Sequence, residues 1–198
     1  ISNDFSSPDF MYMNNGDGVI NDNDRTKIGD PHPDFTFGIN MNFQYKNWDM
    51  SMFWNGSVGN DIFDYTALYY ETPYFFNGNR STRVLDSWSP TNTDAALPAL
   101  SESITNNEFT LANSFFVRDG TYLRLRTLQI GYTLPDTIAS KLGASSARIY
   151  YNGSNLLTLT DFPGLDPEVP RGGALDIGVY SAQYPTNALQ SIGININF

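Results

Sequence analysis

The stretch that most constrains this chain is Phe35–Tyr45, where Phe35, Phe37, Ile39, Met41, Phe43 and Tyr45 alternate strictly with Thr36, Gly38, Asn40, Asn42 and Gln44. Successive side chains of an extended strand point to opposite faces, so the run describes a strand with one apolar and one polar face, and no helix has that period. After Lys46-Asn47, the length of a two-residue hairpin turn, the even positions Trp48, Met50, Met52, Trp54, Gly56 and Val58 carry the apolar phase. Phe53 is the one large exception. Strand character returns from Phe115 to Leu134, with Leu123 and Leu125 on one phase and Leu128, Ile130, Tyr132 and Leu134 on the other. The phase switch near Arg126 and Thr127 predicts a β-bulge. Ala147, Ile149, Tyr151, Gly153, Leu157 and Leu159 define a further strand, and Ile192, Ile194, Ile196 and Phe198 a last one.

Five strands emerge, and their charges, Asp49, Arg124, Arg126 and Arg148, all fall on the polar phase. An apolar face without charge opposite a polar one is the lipid-out, water-in pattern of a transmembrane barrel. The connections alternate as such barrels require, with short periplasmic turns and long extracellular loops. Lys46-Asn47 is tight, 59–114 very long with a helical turn expected near Arg80 to Trp88, Pro135–Ser146 short with a helix-like Thr137–Leu142, and 160–186 long. The expected organisation is therefore an extracellular loop at 1–34, a hairpin at 35–58, a long extracellular loop at 59–114, a strand pair at 115–159, an extracellular loop at 160–186 and a terminal strand at 187–198. Five strands do not close a barrel, since single-chain barrels start at about eight. The chain is thus expected to be the last five strands of a larger one. The competing reading is a secreted β-sandwich that binds glycans, which also alternates. Against it, the polar faces hold Asn, Ser, Thr, Gly and Gln where a sandwich carries Lys and Glu, and Trp and Tyr stand near strand ends as interfacial girdles do.

Composition removes other classes. A net charge of −10 without clustered Lys or Arg disfavours nucleic acid as a partner. Cysteine is absent, so neither disulfides nor thiolate metal sites exist. No run of about 18 apolar residues marks a transmembrane helix, a test blind to transmembrane strands. The single histidine, His32, sits between Pro31 and Pro33, no strand-to-helix Gly-x-Ser-x-Gly elbow occurs, and no spacing singles out a carboxylate pair. No catalytic residue is assigned and no enzyme is expected.

Asn15-Gly-Asp-Gly-Val-Ile-Asn-Asp-Asn-Asp-Arg-Thr26, followed by Ile28-Gly29, Pro33 and Phe35-Thr-Phe-Gly38, resembles a segment of the SusC/RagA-type TonB-dependent transporters of Bacteroidota. Arg118-Asp-Gly-Thr-Tyr-Leu-Arg-Leu125 with Leu128-Gln-Ile-Gly-Tyr-Thr-Leu-Pro135 resembles a strand of the same family. Asn152-Gly-Ser-Asn-Leu156, Gly164-Leu-Asp-Pro-Glu168 and the terminal Phe198 complete the likeness, in order over nearly all of the chain. The resemblance implies a barrel of about 22 strands with an N-terminal plug in the outer membrane of a Gram-negative bacterium. It implies import of nutrients, oligosaccharides or peptides, with energy from the TonB complex, which would engage a region upstream of Ile1. It also implies a SusD-like surface lipoprotein as lid, outer-membrane lipid around the strands, and a C-terminal signal for the barrel-assembly machinery.

Three sets of residues are candidates for contact. Asn15, Asp17 and Asp24 have the spacing of an EF-hand-like Ca²⁺ loop, weakened because Met13 stands where the first carboxylate belongs. A hydrogen-bonded turn is the other reading of that loop. Tyr69, Tyr70, Tyr74, Phe75, Phe76 and Trp88 crowd the long loop, where aromatics grip a ligand or a lid, or else form the loop's own small core. Arg124, Arg126 and Arg148, on the polar phase, are expected to face the lumen, where they pair with plug carboxylates or else stand in water, the plug being the preferred reading.

Overall fold

The computed structural model describes residues 26–72, 78–100, 113–169 and 176–198. The chain divides into two compact units: Pro33–Asn60, Gly120–Glu168 and Tyr184–Phe198 in one, and Ile1–His32, Asp61–Asp119 and Val169–Gln183 in the other.

The first unit is a five-stranded antiparallel sheet in which sequence neighbours are spatial neighbours. Strands β1 (Phe35–Tyr45) and β2 (Trp48–Val58) form a hairpin whose register runs from Tyr45 opposite Trp48 to Phe35 opposite Val58. Lys46 takes a left-handed φ of 54° at the turn. Asn47 stitches that turn to the next strand, accepting from the Thr133 N–H at 2.9 Å and donating from its Nδ2 to the Thr133 carbonyl at 2.7 Å. The small sheet of the other unit contains β3 (Asp61–Asp64) and β4 (Val117–Asp119), which precede β5 (Tyr122–Thr133) of the large sheet in sequence. The large sheet continues through β6 (Ser146–Thr160) to β8 (Leu189–Asn197), and β7 (Val179–Tyr180) lies between them in sequence. A short helix α2 (Asp136–Ala139) and a 3-10 turn, Ser140–Leu142, fill the β5–β6 connection.

Register keeps the two faces separate across all five strands. Met50 lies opposite Ile130, Ile130 opposite Tyr151 and Tyr151 opposite Ile192, so one face is continuous hydrocarbon and aromatic. Ile192 is 78% exposed and Phe198 90%. Trp48 meets Tyr132 at a ring separation of 4.7 Å beside the short turns, where an interfacial aromatic girdle belongs. The phase switch seen in the sequence is a bulge: Phe53 pairs with Thr127 and Trp54 with Leu125, which leaves Arg126 over. Leu125 and Leu128 thereby stay on one face. Phe53, the exception to the alternation, stands on the polar face, so close to Gly38 that a Cβ there would meet its ring at 2.9 Å. A missing side chain makes its room.

The second unit is built around a three-stranded sheet and is conventionally packed. Strand β3 pairs antiparallel with β4 and parallel with β7. Helix α1 (Ala67–Tyr70) follows β3, and its Ala67 and Leu68 pack with Phe116, of the Ser114–Phe116 turn, against Phe63, Tyr65, Tyr70 and Phe115. Two expectations change here. The 59–114 stretch has its expected turn near Arg80 to Trp88 as the 3-10 turn Thr82–Asp86, but it also holds β3 and α1, which were not expected. The single strand read from Phe115 is two strands of different sheets, parted at Gly120-Thr121. The 160–186 stretch likewise contains β7.

Candidate functional site

The polar face of the large sheet carries a built ionic cluster. β5 places Tyr122 and Arg124 on that face, and the bulge adds Arg126 beside them. β6 answers with an irregularity of its own, since Leu125 pairs with Leu157 but Thr127 with Ser154, and Asn155 takes a φ of 53°. Its side chain accepts from Arg126 Nη1 at 3.3 Å and donates to the Asn187 carbonyl at 3.2 Å. Arg124 is only 2% exposed. Its Nε donates to Thr158 Oγ1 at 2.9 Å, Nη1 to Glu168 Oε2 at 2.8 Å and Nη2 to Asp166 Oδ1. The guanidinium also lies 5.5 Å from the centre of the Tyr122 ring. Arg126 Nη2 reaches both Glu168 oxygens, at 2.7 and 2.9 Å. A buried guanidinium is costly unless fully paired, and this one has a carboxylate on each terminal nitrogen.

Asp166 is the centre of the cluster on the loop side. Besides Arg124 it accepts the Glu168 N–H at 2.9 Å and the Thr186 N–H at 2.8 Å. Burial alone pushes its carboxyl up, but the Thr186 N–H, Arg124 and the Glu168 N–H together outweigh that and hold it below the ordinary aspartate value. Asp166 therefore stays ionised at neutral pH.

Near the short turns a second pair spans three strands. Arg148 on β6 donates from Nε to Asp49 Oδ1 at 3.0 Å and from Nη2 to Oδ2 at 2.5 Å, across β5. Gly131 lies between them, and a Cβ there would meet Arg148 Nη2 at 2.3 Å and Asp49 Oδ1 at 2.5 Å. An open concavity of about 500 Å³ at this end is lined by Lys46, Asn47, Asp49, Thr133 and Asp136 among others. All three arginines taken from the sequence as plug contacts thus meet carboxylates of this chain, two of them in the connection after β6.

In the other unit the polar groups hold structure. Asp64 Oδ1 accepts from the N–H and hydroxyl of Thr66 and from the Ala67 N–H, which starts α1, while Oδ2 accepts the Tyr70 hydroxyl at 3.0 Å. Burial raises the Tyr70 phenol to about 12. Glu71 is buried between Arg83 and Arg118, and burial raises its carboxyl against the pull of both cations. Of the six aromatics, Tyr70 is committed to this core and to Asp64, Tyr69 shares a hydroxyl contact with Tyr65 at 3.1 Å, and Trp88 is exposed. Tyr74, Phe75 and Phe76 lie outside the described residues, as do Asn15, Asp17, Asp24 and Met13 of the calcium expectation.

Sequence reasoning missed Asp166, Glu168, Asp64 and Glu71. The first two stand in Gly164–Glu168, a motif whose sequence is recognisable but whose partners lie more than forty residues away, Asp166 being 42 residues from Arg124. Comparison with known proteins places this geometry. No family model matches the chain. It is 38% identical over 189 residues to TonB-dependent receptor P3 of Formosa agariphila, covering 92% of this chain and 18% of that protein. It is 24% identical to TonB-dependent receptor SusC of Bacteroides thetaiotaomicron, covering 93% of this chain and 17% of that protein. The chain therefore spans less than a fifth of the length of these relatives. Among solved structures, the RagAB peptide importer in its open-open state matches with a TM-score of 0.67 and 26% identity, over 84% of this chain and 17% of that one.

Proposed function

We propose, of a chain that has the sequence and the sheet of a barrel segment of SusC-type TonB-dependent receptors, that it forms outer-membrane wall in a nutrient importer. The polar face lines the lumen, the apolar face meets lipid, and the connections 59–114 and 160–186 are extracellular loops. One observation carries this reading: a five-strand apolar face that is free of charge and open to its surroundings. In water such a patch is a liability, whereas in a bilayer it is the required surface.

The nutrient is an oligosaccharide or a peptide; a peptide importer stands among the similar structures. The importer works with a SusD-like lipoprotein and draws on TonB. Exposed Tyr69 and Trp88 of the 59–114 loop contact lid or nutrient, because recognition sits on loops held by a rigid scaffold. The test is deletion of the gene, followed by uptake assays with oligosaccharide and peptide mixtures, and affinity purification of the tagged receptor from detergent-solubilised outer membrane. Loss of uptake of one class and recovery of a surface lipoprotein are expected. A gene product that is monomeric and soluble without detergent would sink the reading in favour of a secreted binding module.

A further inference from the structure

The connection after β6 does not leave the sheet when the strand ends. Phe162 and Asp166 are buried, and Asp166 and Glu168 lie on two arginines of the polar face. Asp166 gathers the N–H of Glu168 and the N–H of Thr186, so the outgoing and returning chain are tied at one carboxylate. Regular pairing is given up at this level in both strands, once to supply Arg126 and once to supply Asn155, which holds the returning chain at Asn187. A connection standing free in solvent needs none of this. Bulges commonly re-aim a side chain for a purpose, and desolvating Arg124 is worthwhile only if its carboxylates stay in place.

We infer that Phe162–Glu168 is a strap fixed to the lumen wall, with Arg124 and Arg126 as positioning residues, and that its outer side, at Leu165 and Glu168, is the surface a passing nutrient meets there. The inference rests on the reading of the polar face as lumen. The strap adds a layer of chain to this wall and so narrows the passage on this side. Leu165, 66% exposed, presents an apolar side chain to that passage.

The experiment uses the full-length receptor in detergent, with single introduced cysteines and a hydrophilic maleimide. Asn55→Cys reports from the wall, since Asn55 lies opposite Arg124 in the register and its Oδ1 is shut off from solvent. Leu165→Cys reports from the strap's outer side. Leu165→Cys should label faster by at least about tenfold. Adding Asp166→Asn, which keeps the shape and removes the charge, should speed labelling at Asn55→Cys by roughly a hundred- to a few thousandfold, as expected when one partner of a buried ion pair is lost. Should that variant not assemble, Thr186→Pro removes one N–H and no charge, and is read in the same way. A heat-modifiable barrel in which Asn55→Cys stays protected in these variants overturns the strap. If the unsubstituted protein forms no heat-modifiable barrel, the lumen reading itself fails, which is a different result.

Discussion

Phe116 is completely enclosed, edge-on to Phe63 at 6.2 Å and to Phe115 at 5.1 Å, whereas Ile192, Ile194 and Phe198 of the large sheet are bare. Both units bury charge, Asp64 and Glu71 in the one and Arg124 and Asp166 in the other, so it is the apolar residues that are placed differently. One chain thus contains a unit built for water and a unit turned inside out. The difference teaches that the two answer to different solvents: the small core gains by excluding water, while the sheet's apolar face has nothing of its own to pack against and needs hydrocarbon.

The largest test of that contrast is Phe116→Ala. Truncating an enclosed Phe costs about 3–5 kcal/mol, so amide protection of β3 and α1 in the intact receptor should fall by roughly two to four powers of ten while the barrel amides keep theirs. Equal protection in the variant would show that β3 and α1 are held by something other than this core. Next is a neighbouring pair on β8. Ile194→Arg, on the lipid side, should cost about 2–4 kcal/mol and reduce the heat-resistant barrel recovered from the outer membrane, while Asn195→Arg should assemble. If both assemble equally, the two faces do not see different solvents. Asp49→Asn is expected to cost less, up to about 1 kcal/mol in urea titration of the detergent-solubilised receptor, because its pair with Arg148 is part-exposed. A larger loss would mean that the site is drier than its exposure suggests. The smallest effect should be Ile194→Phe, nearly neutral in lipid, because no close-packed neighbour is present to clash; in a protein core the same change costs about 1–3 kcal/mol. A loss of that size, with Ile194→Leu silent, would put protein against this face.

What was legible in the sequence follows the length over which a period can be read. β1, β2, β5, β6 and β8 run for nine to fifteen residues, and their alternation displays both the strand and its faces. Even the bulge at Arg126 is visible, because an extra residue inverts the phase of every residue after it. The small sheet was not visible, since β3, β4 and β7 have four, three and two residues, too few to show a period. Val117–Asp119 also runs into β5 with only Gly120 and Thr121 between, so the sequence presents one strand where there are two. The cluster on Arg124 was half legible. Its arginines stood out as charges on a polar phase, but their partners come from a connection with no periodicity, and a resemblance directed them to a plug instead. Distance along the chain, more than chemistry, hid Asp166 and Glu168.

The bridge of Arg148 to Asp49 over Gly131 has a consequence for how the sheet is made. A shift of β5 by one residue would turn its apolar set inward and is penalised along the whole strand. A shift by two keeps the faces correct and is the error that hydrophobicity fails to detect. It would slide Gln129 or Thr133 into the place of Gly131, and a side chain there collides with the ion pair passing overhead. The bare glycine thus works as a proofreading gauge: only one alignment of three strands lets the two charges meet, and a nascent sheet that zips up two residues out of step is left with a blocked pair to undo.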